Sequence, residues 1–347
     1  MKYILIFLVI ILYSCSNLSS TGQEDLTTNE DWTINEDYIR EGCFAGKDCI
    51  PSIDTPHYSN IGGNNLEFLN DNDLVVGLWN GSNYIAYPHP ILDWHEVVNE
   101  TDYSISYCPL TGSAIHFETP SEFGISGKLY NNNLIMYDRI SDSYWPQMLL
   151  KSAAGGRQNE SLNLLPLLET TWDSWKKLFP NSKVLNSNTS YNRNYNQYPY
   201  GDYKTCSSNS CSDYIYFPVE IKDDRLLAKE RVLSIISDKD ALAIKINAFE
   251  MPEIIHRTFK GKNYVIVVSA KDNINIVFKT DKILEINNWD IVNGGIILKE
   301  QNSTNRWDIL GHAIDGAQMI ADLNPADSYI AYWFALAAIF PNPEIIQ

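Results

Sequence analysis

The chain repeats itself, and that repetition constrains the fold more than any other feature. Val75-Val76-Gly77-Leu78-Trp79 through Ile85-Ala86-Tyr87 lies over Val232-Leu233-Ser234-Ile235-Ile236 through Leu242-Ala243-Ile244. Each copy reads as a β-hairpin: an apolar strand, a polar turn (residues 80–83; 237–240) and a second apolar strand. Residues 94–99 then lie over 251–256, and Ile105-Ser106-Tyr107-Cys108 over Val265-Ile266-Val267-Val268. Trp145 matches Trp307. Trp172, followed by Phe179-Pro180-Asn181, matches Trp333, followed by Phe340-Pro341-Asn342. The offset moves only from 157 to 162 residues, so few insertions separate the copies. The expectation is an α+β, mainly β chain of two tandem related β-rich modules from an internal duplication. Each module ends in a short helix, bearing Trp172 or Trp333. Residues 41–205 form the first module and 206–347 the second, which reads as the degenerate copy. Strands dominate because short apolar runs broken by Asn, Gly, Asp and Ser recur throughout.

The repeat serves as an internal control. Positions kept in both copies serve the fold: Glu96/Glu253, Trp145/Trp307, Trp172/Trp333 and the Phe-Pro-Asn pair. Polar positions held by one copy are functional candidates. Cys108 stands over Val268 and His95 over Pro252, so only the first copy carries a thiol and an imidazole there.

The chain has six cysteines. Lys2 and an apolar run over residues 4–13, too short to span a bilayer, lead to Leu12-Tyr13-Ser14-Cys15. This resembles a bacterial lipobox. Residues 1–14 are expected to be a lipoprotein signal peptide, and Cys15 the lipid anchor that tethers the protein to a membrane outside the cytoplasm. Residues 15–40, polar and acidic, form a flexible tether. In that compartment Cys43 and Cys49, and Cys206 and Cys211, are expected to pair as disulfides. Cys108 remains, and a leftover extracytoplasmic cysteine is a candidate reactive thiol or metal ligand. The net charge of −17 and pI near 4.7 repel phosphate backbones and exclude nucleic acid as a partner. The sequence carries no phosphate-binding Gly-rich loop, no Gly-x-Ser-x-Gly elbow and no His-Glu-x-x-His motif.

Asp93-Trp94-His95-Glu96-Val97-Val98-Asn99 precedes Tyr107-Cys108-Pro109-Leu110-Thr111-Gly112-Ser113. Further on come residues 123–131, Met136-Tyr137-Asp138-Arg139, Thr170-Thr171-Trp172 and Tyr198-Pro199-Tyr200-Gly201-Asp202-Tyr203. This ordered series resembles the bacterial domain-of-unknown-function family numbered 3179 over about residues 40 to 345. The resemblance implies a secreted or envelope-anchored protein and carries no settled activity. Thr111 stands where the family commonly has a second cysteine, which weakens a dithiol–disulfide reading of the motif.

Cys108 ends an alternating strand just before a Pro-Leu-Thr-Gly turn, a place that often holds functional groups. A short helix over residues 92–99 would set His95 and Asn99 on one face. One expectation is a copper or zinc site of Cys108 and His95, completed from Met136, His116 and His89. Another is a nucleophilic thiol, with His95 lowering the pKa of Cys108 and Asn99 or Glu96 orienting the imidazole. The alternative is a non-catalytic binding or structural module in which Cys108 is a buried, unreactive small hydrophobe.

Overall fold

Strands carry the fold in a computed structural model that describes residues 31–119, 121–204, 214–293, 295–315 and 320–347. The expected signal peptide, the Cys15 anchor, the tether up to residue 30, the module boundary at 205/206 and the Cys206 and Cys211 pair lie outside the described residues. Residues 31–347 form one unit.

Among the described residues six sheets build it, three from each half. In the first half the hairpin Leu74–Trp79/Tyr84–Pro88 is flanked by antiparallel Leu168–Thr171 on one edge and parallel Lys183–Leu185 on the other. In the second half Arg231–Ser237/Asp240–Lys245 is flanked likewise by antiparallel Ser328–Tyr332 and parallel Glu344–Ile346. A parallel neighbour needs a crossover, and in each half a seven-residue helix supplies it: Trp172–Leu178 and Trp333–Ile339. The first of these helices is capped by Thr171, whose side chain accepts from the Ser174 amide. Trp175 lies directly over Gly77 of the hairpin, where a β-carbon would stand 1.9 Å from the indole; only glycine permits that approach.

Inside each edge-to-edge frame sit two antiparallel meanders. Val97–Asn99, Tyr103–Cys108 and Ser113–Glu118 correspond in order to Glu253–Phe259, Lys262–Ser269 and Ile274–Lys279. Phe123–Tyr130, Asn133–Asp138 and Tyr144–Pro146 correspond to Leu284–Asp290, Gly295–Glu300 and Arg306–Asp308. Trp145 and Trp307 lie fully buried in the last strand of each set.

The hydrophobic cores are shared between the halves. Cys108, Met136 and Trp145 pack in one cluster with Tyr332, Trp333 and Leu336. Val75, Trp172 and Trp175 pack in another with Val267, Phe278 and Trp307. Each closing helix therefore seals the meanders of the opposite half. A buried tryptophan removes about 150–250 Å² from water, worth roughly 4–6 kcal/mol before entropy is counted.

Two expectations are corrected. The helix is His89–His95, and it stops because Glu96 turns left-handed at φ 58°. Val97 and Val98, β-branched, then pair with Ser106 and Ile105, so Asn99 sits on a strand and shares no helix face with His95. The overlay of Cys108 on Val268 is also one residue out of register. Cys108 pairs with Ser113 across a turn, and Ser269 pairs with Ile274 across a turn of equal length, so Ser269 is the counterpart of Cys108. Residues 265–268 are uniformly apolar, and a run without alternation does not announce its register.

Candidate ligand pocket

Cys108 is the last residue of Tyr103–Cys108 and is completely buried. The backbone folds over it: the Gly112 amide donates to its carbonyl at 2.8 Å. Its thiol donates to the Asn132 carbonyl at 3.6 Å and accepts from the Leu134 amide at 3.4 Å. Burial, reinforced by the nearby Glu96 carboxylate, pushes the thiol up to about 11. It is therefore protonated at neutral pH, whereas the nucleophile and metal ligand is the thiolate.

The structure does not join Cys108 to the residues expected beside it. Both ring nitrogens of His95 are engaged elsewhere: Nδ1 is 2.8 Å from the Pro51 carbonyl and Nε2 is 2.8 Å from the Tyr195 hydroxyl. The carbonyl can only accept, so Nδ1 carries the hydrogen and Nε2 accepts from Tyr195. Burial lowers this imidazole to about 4 and keeps it neutral. Asn99 staples two strands and a loop: its amide donates to the Phe123 carbonyl at 2.9 Å and to Asp54 at 2.7 Å. His116 is 2.8 Å from the Pro166 carbonyl through Nδ1, and Met136 lies in the apolar core opposite Trp145. No group of three or more His, Cys, Asp or Glu that could hold a metal ion occurs among the described residues. The Cys43–Cys49 disulfide is formed.

Cys108 instead forms part of the wall of a largely apolar pocket of about 190 Å³. Leu110, Ile125, Leu129, Leu134 and Phe217 supply its apolar surface, with Gly42 and Cys43 also in its wall. Glu96 and Tyr200 bring polar groups, as do Tyr216 and Lys128, the latter paired with Glu41. Glu96 is almost wholly buried, and burial, with Asp93 adding, pushes its carboxyl up to about 7. Tyr200 donates to Oε1 at 2.6 Å, leaving Oε2 without a hydrogen-bond partner among the described residues. The left-handed backbone at Glu96 costs on the order of 1 kcal/mol, and the surrounding bonds enforce it: its amide donates to the Leu92 carbonyl at 2.8 Å and its carbonyl accepts from Tyr107 at 2.7 Å.

A tyrosine-rich segment covers this arrangement. The Tyr203 hydroxyl donates to the Leu110 carbonyl at 2.9 Å, and its ring stacks on Tyr216 at 4.8 Å. Lys204 donates to Asp93 at 2.5 Å and stands 4.2 Å over the Tyr198 ring. The sequence does not single out Tyr200 as a site residue, and it offers Glu96 both as a position kept in the two copies and as a group orienting the His95 imidazole, not as a pocket carboxyl. The Tyr-Pro-Tyr-Gly-Asp-Tyr run was the available signal, but its distance of about 100 residues from Glu96 hides the contact.

The chain matches the family described as "Protein of unknown function (DUF3179)" over residues 47–343. No curated protein and no solved structure matches it.

Proposed function

The chain belongs to the DUF3179 family, and from that premise we propose that it is an envelope lipoprotein, anchored through Cys15, that binds a small, largely apolar molecule bearing one amine or hydroxyl donor. The observation that carries this reading is Glu96: a buried carboxyl in an apolar pocket with one oxygen unpartnered. A ligand donor would give that oxygen the hydrogen bond it lacks, and a hydrogen bond to a charged group contributes about 1.5–3 kcal/mol. A dry apolar cavity of about 150 Å³ can take a benzene ring, so a pocket of 190 Å³ suits a ligand of that size. An ammonium group would also stabilise the ionised carboxylate against burial. The Cys43–Cys49 disulfide supports an oxidising compartment. The repeated order of sheets and helices supports an origin by tandem duplication, with the second half as the copy lacking a pocket carboxyl.

This reading is favoured over a copper or zinc centre or a reactive thiol. His95 spends both nitrogens on Pro51 and Tyr195, and the Cys108 thiol is held protonated. Calorimetric titration of the purified full-length chain with benzylamine, benzyl alcohol and toluene tests it. Saturable binding is expected with the first two exceeding toluene by about tenfold or more. No binding of any of the three, or toluene binding as tightly as benzylamine, would remove the basis for the proposal.

A further inference from the structure

Side chains alternate across a strand, and Tyr107, one residue before Cys108, faces away from the Glu96 pocket into a second cleft of about 300 Å³. The cleft lies where the halves meet, between His89 and Tyr107 of the first and Arg231 and Tyr332 of the second, with Lys204 at its edge. Gly112 forms part of its floor. At φ +60° it passes so close to Tyr332 that a β-carbon there would stand 3.1 Å from the ring.

Three polar groups on residues more than nine-tenths buried in this cleft lack a hydrogen-bond partner among the described residues. They belong to His89, whose Nε2 is fully buried, and to the buried side chains of Tyr107 and Tyr332, whose hydroxyls make no hydrogen bond but are not sealed from solvent. His89 Nε2 stands 3.5 Å from Glu169, beyond a normal hydrogen bond. Burial and the charges of Lys204 and Arg231 hold His89 well below its usual pKa, so the ring is neutral. Lys204 gives a hydrogen to Asp93, and Arg231 gives one to Glu169. These pairs balance charge, yet an ammonium has three N–H donors and a guanidinium five, so donors remain on both. Asp73, the acid lining the cleft, is turned to Asn70, accepting from its amide at 2.7 Å and its side chain at 3.1 Å. Behind the lining, Asp93 Oδ1 and Glu169 Oε2 are buried acceptors without a partner, held by the charges of Lys204 and Arg231, whereas the groups that line the cleft itself are mostly donors. On a chain of net charge −17, long-range attraction cannot collect anions, so selection falls to these short-range donors.

We propose that this cleft binds a small oxyanion, a carboxylate or phosphate group, received by the fork of Arg231 and by Lys204 and hydrogen-bonded by the hydroxyls of Tyr107 and Tyr332. Arginine presents paired N–H groups that match the two oxygens of such a group. The two tyrosines come from different halves, so the ligand would also bridge the junction.

The test is calorimetric titration of the full-length chain with acetate and with inorganic phosphate at fixed ionic strength, with chloride as the control. Saturable binding of acetate or phosphate, but not chloride, is expected, and the tighter of the two identifies the headgroup. Tyr107→Phe with Tyr332→Phe deletes both hydroxyls and keeps both rings. It should weaken binding by about tenfold or more without changing the circular dichroism spectrum. Arg231→Lys, which keeps a positive charge against Glu169 but loses the fork, should weaken it too. No saturable binding of either oxyanion up to about 10 mM overturns the proposal. So does equal affinity in the wild type and the double tyrosine variant. Benzylamine binding at the Glu96 pocket should be unchanged in that variant, so failure here is distinguishable from failure there.

Discussion

The turn after Tyr103–Cys108 and the turn after Lys262–Ser269 span the same number of residues, and each is received by the opposite half of the chain. The Thr111 carbonyl accepts from the Tyr332 amide at 2.8 Å, just before helix Trp333–Ile339. The Asp272 carbonyl accepts from the Ser174 hydroxyl at 3.0 Å, in helix Trp172–Leu178. The docking is reciprocal, but the surroundings differ. Residues 109–112 are all buried beneath the tyrosine segment, whereas Lys271 is exposed and its neighbours are half-buried. Their carboxylates differ in the same way: Glu96 is buried in a pocket, and its counterpart Glu253 is exposed. The comparison teaches that similar backbone supplies the docking, and the cover laid over one half makes the pocket.

The largest effects should be common to both halves. Trp145→Ala and Trp307→Ala should each cost about 3–5 kcal/mol in urea unfolding, with one cooperative transition, because each indole lies in a core shared between halves. Two separable transitions would break the idea of joint cores.

The next effect should separate the halves through pH. Glu96 takes up its proton near pH 7 in the fold and near 4.5 when unfolded. Between those values the native state binds more protons, so stability contributed by this group is complete below about 4.5 and lost as pH rises through about 7. Glu96→Gln should remove that fall, gaining on the order of 2–3 kcal/mol relative to the wild type across the window. Asp93, raised by burial to about 6, leaves a residual fall of the same sign at lower pH. Glu253→Gln is the exposed control. A Glu96→Gln curve parallel to the wild type would mean the carboxyl is not held as described.

Smaller effects sharpen the docking comparison. Gly112→Val should cost about 2 kcal/mol, because it forces a β-branched residue to positive φ against the Tyr332 ring. Asn273, at the matching place with φ 51°, already bears a side chain there, so Asn273→Gly should change stability by under about 1 kcal/mol. Cys108→Ala should likewise cost only about 1 kcal/mol. Native Cys108 should resist iodoacetamide and react only on unfolding, as followed by mass spectrometry.

Much of the frame was legible in the sequence. The paired hairpins, the Trp172 and Trp333 helices and the buried Trp145 and Trp307 all follow from local patterns that repeat. The Cys43–Cys49 pair was readable because its loop is short. The site was less legible. That Cys108 and His95 do not meet depends on Pro51 and Tyr195, distant residues that satisfy the imidazole. The left-handed turn at Glu96, which moves Asn99 off the helix, is a non-glycine exception that tertiary bonds impose. The burial of Glu96 depends on Tyr200, and no spacing rule connects them.

The most direct measurement of the central claim is benzylamine affinity in Cys108→Ala and Glu96→Gln, beside the wild type. The account predicts that Cys108→Ala stays within about threefold of the wild type while Glu96→Gln loses about tenfold or more. Binding that survives Glu96→Gln and disappears in Cys108→Ala would contradict it and return the thiol to the centre of the site.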